Sequence, residues 1–162
     1  MPPSHSIAVI KYSHLPHLQS FARYPIVFVT AVTHNRRSIL ANAGSFEILT
    51  AIWQRSSDVD GWFVGAYLLM PDHVHVFARP ALEAKTLAQW METWKSLSSR
   101  RLSHALETLP PLWQRDYFDR FLRSSADYTD KWDYVTTNPI RKKLCERPED
   151  WPWKGRLFDL SF

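Results

Sequence analysis

The chain has 162 residues, 45% of them hydrophobic and 14% aromatic, and carries 20 Lys and Arg against 16 Asp and Glu, a net charge of +4. That apolar share excludes a disordered chain and suits one domain, residues 1–162, with a core of its own. The mild basic excess permits a nucleic-acid partner without requiring one, and the single Cys145 excludes an internal disulfide or a Cys-rich zinc module.

Residues 1–23 mix Pro and Ser with His5, His14 and His17 and read as an irregular lead-in. YPIVFVTAVT (24–33) is apolar and β-branched, the mark of a buried strand. In NAGSFEILTAIWQRS, Phe46, Leu49, Ile52 and Trp53 recur at helical spacing behind the candidate caps Asn42 and Ser45. GWFVGAYLLMPDHVHVFARP then predicts two strands joined at MPD, with Pro71 in the turn. WFVGAYLLM is far too short to cross a bilayer, and no secretory leader pattern opens the chain.

The clearest helix covers 86–106, with Leu87, Trp90, Met91, Trp94, Leu97, Leu102 and Ala105 in one stripe and Thr86 and Gln89 at capping-box spacing. Beyond the proline break LPPLW, QRDYFDRFLR is a weakly alternating fourth strand. SSADYTDKWDYVTTNP predicts a last helix, with Ser124 and Asp127 at its start and Asn138-Pro139 at its end. A basic run, IRKKL, and an aromatic tail over 146–162 follow. The order βαββαβ points to an α+β, ferredoxin-like sandwich: an antiparallel sheet with helices on one face, its other face free, plus a C-terminal helix carrying a tyrosine.

Two features of this layout carry chemistry. Side chains alternate along a strand, so His73, His75 and Phe77 share one face of the hairpin and Val74, Val76 and Ala78 the other. Two neutral imidazoles side by side can bind a divalent ion, although the pair alone also fits histidines that only hydrogen-bond locally. On the last helix, Tyr128, Trp132 and Val135 form the core stripe, which puts Tyr134 off the core face and Asn138 one turn beyond it on nearly the same side. Asn138 also reads as a plain helix stop before Pro139.

YLLMPDHVHVFARP, then LWQRDYFDRFLRSSADYTDKWDYVTTNPIRKKL, then EDWPW, with VTAVTHNRRSIL near the start, resemble in order and spacing the REP-associated tyrosine transposases, a branch of the HUH single-tyrosine transposases. The likeness covers residues 24–153. It implies that His73 and His75 are metal ligands for Mg²⁺ or Mn²⁺, that Asn138 is the third ligand, and that Tyr134 is the nucleophile. It also implies that single-stranded or hairpin DNA is cut and rejoined through a 5′-phosphotyrosine. KGRLFDLSF after the final Trp departs from the small residues usual in the family, which bears on the choice of target.

For phosphate contacts the sequence offers Arg36, Arg37, Arg79, Lys95, Arg100, Arg101, Arg115, Arg123, Arg141, Lys142 and Lys143, of which the RKK run after the tyrosine helix is the best placed. Any one of them also reads as a solvated surface charge. Trp53, Trp90, Trp94 and Trp132 fit buried helix stripes, while Trp151 and Trp153 anchor the tail. Two other functions remain open from the residues alone: a nucleic-acid-binding module without catalysis, and a metal-dependent phosphodiesterase that uses water. The expected protein is cytoplasmic and joins the nucleoid when bound to DNA; the sequence is compatible with a monomer or a homodimer.

Overall fold

A computed structural model describes residues 25–162, so the lead-in and its three histidines lie outside the described residues. Strand β1 (Val27–Val32) leads to helix α1 (Ala43–Val59), then to the hairpin β2 (Trp62–Leu69) and β3 (His73–Pro80). Helix α2 (Leu87–Ala105), strand β4 (Phe118–Phe121), helix α3 (Ser125–Thr136), the short helix α4 (Asn138–Arg141) and strand β5 (Lys154–Arg156) follow. The sheet is antiparallel throughout, in the order β4-β1-β3-β2-β5. Its first four strands with α1 and α2 make the expected βαββαβ sandwich.

The helix starts follow from their caps. Asn42 Oδ1 accepts the Ser45 amide at 2.9 Å, so Asn42 caps α1, whereas Ser45 is buried in the first turn with its hydroxyl donated to the Ile39 carbonyl. Thr86 and Gln89 form the reciprocal capping box of α2. Ser124 caps α3 by accepting the Asp127 amide at 3.1 Å, and Asp127 in turn accepts from the Arg123 amide.

The alternation of β3 sorts its side chains as expected: Val74, Val76 and Ala78 join Trp53, Trp90 and Trp94 in the core beneath α1 and α2, while Phe77 faces the other way. The α2 stripe holds except at Ala105, the last residue of the helix, which is exposed; Ser98 is buried instead and accepts the Trp113 indole N–H at 2.9 Å.

The sheet's second face is not free. Ile26, Phe28, Ala66, Leu68, Met70 and Phe77 pack there with Val135 of α3 and with Trp151 and Leu160 of the tail. The reason lies in β2, whose residues are apolar on both sides and therefore need cover on both. The tail also supplies the unexpected β5, which pairs with β2 from Ala66↔Arg156 to Leu68↔Lys154. Trp151 fixes its approach by donating its indole N–H to the Leu69 carbonyl at 2.9 Å. At Gly65, in the bulged part of β2, a Cβ would lie 2.7 Å from the Leu160 side chain, so a larger residue there would force Leu160 to shift as the tail closes. Among the described residues no helix is long and apolar enough to cross a membrane.

Candidate active site

The two histidines lie on this second face, beneath the Asn138 side chain. In the β1–β3 register His73 lies opposite Val32 and His75 opposite Thr30, and the two rings sit edge to face with centroids 4.8 Å apart. Each Nδ1 has a partner: His73 Nδ1 is 2.7 Å from Asp72 Oδ1, and His75 Nδ1 is 2.9 Å from Thr30 Oγ1. A carboxylate can only accept, so His73 carries its proton on Nδ1. Both Nε2 atoms face the Asn138 carboxamide, whose Nδ2 lies 3.1 Å from His73 Nε2 and 3.2 Å from His75 Nε2. One NH₂ group can donate to both only if both Nε2 atoms are bare acceptors, which gives His75 the same tautomer and makes Thr30 Oγ1 an acceptor.

Burial keeps this pair neutral. His75 is 8% exposed, and burial, reinforced by the nearby His73, Lys131 and Arg141, lowers its pKa to about 3. Burial lowers that of His73 as well, partly offset by the Asp72 carboxylate. Burial pulls the Asp72 carboxyl upward, but its bonds to His73 and Arg36 prevail and hold it below the ordinary value. At neutral pH neither imidazole must lose a proton before it can act as a ligand. Among the described residues no three His, Cys, Asp or Glu side chains cluster, so the two imidazoles and the Asn138 amide form the donor set available to a cation here.

Tyr134 stands at the rim. It is 57% exposed, as its place off the α3 stripe predicts, whereas Asn138 is 8% exposed and turned in to the histidines. Pro139 has no N–H to continue α3, and the chain restarts as α4 with the Arg141 and Lys142 amides bonded to the Thr137 and Asn138 carbonyls. This restart separates the two side chains in depth: amide inside, phenol outside. The Arg141 guanidinium lies 4.0 Å from the centroid of the Tyr134 ring, with Nη1 bonded to the Tyr134 carbonyl and to the Thr137 hydroxyl. Lys131 Nζ is 5.3 Å from the same ring and 4.8 Å from that of Phe28, which stacks on His75 at 5.4 Å. A phenol, two cations and two bare imidazoles are thereby joined through one chain of contacts.

The model of the family described as transposase IS200 like matches residues 20–151. The chain belongs to that family. It is 26% identical over 135 residues to the REP-associated tyrosine transposase of Escherichia coli K12, covering 83% of this chain and 78% of that one. The solved structure of a REP-associated tyrosine transposase bound to a REP hairpin superposes with a TM-score of 0.65 at 20% identity, covering 85% of this chain and 89% of that one, and so shares the fold. The resemblance read from the motifs therefore holds in both sequence and architecture.

In this IS200-like transposase the basic residues separate by position. Arg141, Lys142 and Lys143 are exposed around the end of α3, and Arg36 is exposed beside the histidines, bridging Asp72 at 3.3 Å. Arg115 and Arg123 are exposed on either side of β4, while Arg100 and Arg101 are exposed on α2, the layer across the sheet from the histidines. Three others are turned inward. Arg79 is 2% exposed and packs toward the Phe162 ring, so the tail stands between it and any phosphate. Lys95 donates to the Gln114 and Arg115 carbonyls, and Arg37 to Thr108, Leu109 and Pro111. Both tie down the segment before β4.

The sequence reading passed over Asp72, Thr30 and Lys131. Asp72 precedes His73 directly and Lys131 lies one helical turn before Tyr134, so both had a local signal. Thr30 meets His75 only through strand register, which nothing local encodes.

Proposed function

We propose that the protein cuts and rejoins single-stranded or hairpin DNA by transesterification through Tyr134. One observation carries this reading: His73 Nε2, His75 Nε2 and the Asn138 amide converge within 3.2 Å beside the helix that presents an exposed tyrosine. Membership in a transposase family supports it, and the REP hairpin bound by the structural relative favours hairpin DNA as the substrate class.

Two bare imidazole nitrogens aimed at one electropositive group fit a divalent cation, which His73 and His75 would hold through Nε2 and Asn138 through Oδ1 once its carboxamide turns the NH₂ group away. When bound, Mg²⁺ or Mn²⁺ supplies Lewis-acid polarisation of a non-bridging phosphate oxygen. Tyr134 Oη forms the new bond to phosphorus, and the bond from phosphorus to the 3′ oxygen breaks. The 3′ oxygen leaves as a hydroxyl after taking up one proton, while the phenol releases one to solvent. The 5′-phosphotyrosine ester keeps the bond energy, so a later 3′-hydroxyl can reseal the strand and return the phenol. Arg141 and Lys131 steady the tyrosine ring and bring positive charge to the incoming phosphate.

The test is a labelled hairpin with single-stranded flanks, incubated with the protein and Mn²⁺ or Mg²⁺. A denaturant-resistant protein–DNA adduct is expected, absent with EDTA and in His73→Ala. Cleavage without an adduct would hand the chemistry to water; tight binding with no cleavage would leave a binding module. Either result overturns the reading.

The tautomer argument has its own consequence. Thr30→Val removes the acceptor at His75 Nδ1 and lets the proton move to Nε2. Mn²⁺ affinity, measured without DNA by the EPR signal of the free ion, should fall about 10- to 100-fold. An unchanged affinity would show that Thr30 does not set the ligand tautomer.

A further inference from the structure

We propose that Phe118 is the stacking platform for an unpaired nucleobase next to the scissile phosphate. This rests on the reading above, because it takes the phosphate to lie at His73, His75 and Asn138. Thr30 on β1 is opposite His75 on one side and Phe118 on the other. Directly paired residues point to the same face, and the bond from Thr30 Oγ1 to His75 Nδ1 fixes which face this is. Phe118, Thr30 and His75 therefore form one row across three strands. With strands about 4.8 Å apart, the aromatic backbone position is about 10 Å from that of the histidine. The next row repeats the pattern with Arg120, Phe28 and Phe77, and Phe28 touches the Phe118 ring edge-on at 6.5 Å while stacking on His75.

Phe118 is 55% exposed on β4, which among the described residues pairs only with β1. Edge strands are usually blunted by charge, so a large exposed aromatic beside a site asks for an occupant. The surrounding charge says which. Arg120 lies two residues along on the same face, held only loosely by Asp127 at 3.7 Å, and Lys131 Nζ sits over Phe28. An aromatic face bordered by cations matches a base with its phosphate. A base paired inside a duplex stem has no free face to offer, so the occupant is a nucleotide of the single-stranded flank. Stacking is tolerant of base identity, and this contact is therefore expected to set where the strand lies rather than which base it carries.

The experiment scans the single-stranded flank of the hairpin with one abasic nucleotide at a time, reading binding by fluorescence anisotropy with Phe118 and with Phe118→Ala. One position is expected at which base removal weakens binding about 5- to 150-fold with Phe118 but has no further effect in Phe118→Ala. Phe118→Trp, which keeps an aromatic face, should restore that position, and it controls for misfolding. Losses that add at every position would overturn the proposal. So would a Phe118→Ala protein whose oligomeric state changes while its binding does not, since that would give the edge to a second copy of the chain. Adduct formation by the unmodified protein is scored separately: its absence counts against the tyrosine chemistry, while the binding cycle still decides the role of Phe118.

Discussion

Tyr134→Phe abolishes the covalent adduct while leaving hairpin binding within about two-fold, the range of an ordinary surface substitution. The separation is expected because the contacts that place this side chain are made through the ring. Arg141 lies over its face at 4.0 Å and Lys131 approaches at 5.3 Å, and phenylalanine offers both the same surface. Only the attacking oxygen is lost. Removing a covalent nucleophile costs on the order of 10⁴- to 10⁶-fold in turnover, so end-labelled DNA should show neither adduct nor nick above background. Among the described residues, the tyrosines nearest in sequence are poor substitutes. Tyr128, on the same helix, is half-buried against Phe77 at 4.8 Å, and burial raises its pKa. Tyr117 is raised likewise, by burial and by Asp119. An adduct that survives Tyr134→Phe would move the nucleophile elsewhere and sink the assignment.

The features that proved legible are those whose signal is local. The alternation of His73, His75 and Phe77 against Val74, Val76 and Ala78 needs only the period of a strand, and it places each residue on its observed face. The α3 stripe of Tyr128, Trp132 and Val135 needs only the period of a helix, and it leaves Tyr134 outside. What stayed hidden depends on distant pairing. KGR shows no alternation over three residues, so β5 exists only because β2 offers an edge and Trp151 anchors the approach. Arg79 and Lys95 read as surface cations because charge says nothing of depth; burial under the tail and two backbone carbonyls decide their positions. Phe118 lay in the least regular segment, and its link to the histidines is a matter of register alone.

Trp90→Ala costs about 3–5 kcal/mol of stability, a large share of the roughly 5–15 kcal/mol that holds a domain of this kind together. The ring is fully buried and stacks on Trp62 at 4.8 Å with planes 8° apart, while Trp94 closes a second side at 6.4 Å. Its indole N–H donates to Ser56 Oγ at 3.0 Å, joining α2 to α1 within the core. Truncation therefore opens a cavity between rigid aromatic neighbours that cannot collapse into it, and it strips a buried hydroxyl of its donor. Trp90→Phe keeps much of the ring and loses the hydrogen bond, so a smaller loss of about 1–3 kcal/mol is expected. Urea denaturation measures both, and a loss below about 1 kcal/mol for Trp90→Ala would show that the core relaxes around the gap. The location of Trp90 adds a second readout. It packs with Val74, Val76 and Ala78, on the opposite side of β3 from His73 and His75. Adduct formation per folded molecule should therefore stay close to normal under conditions where the variant remains folded, because the lost contacts support the sheet without touching the face that does the chemistry.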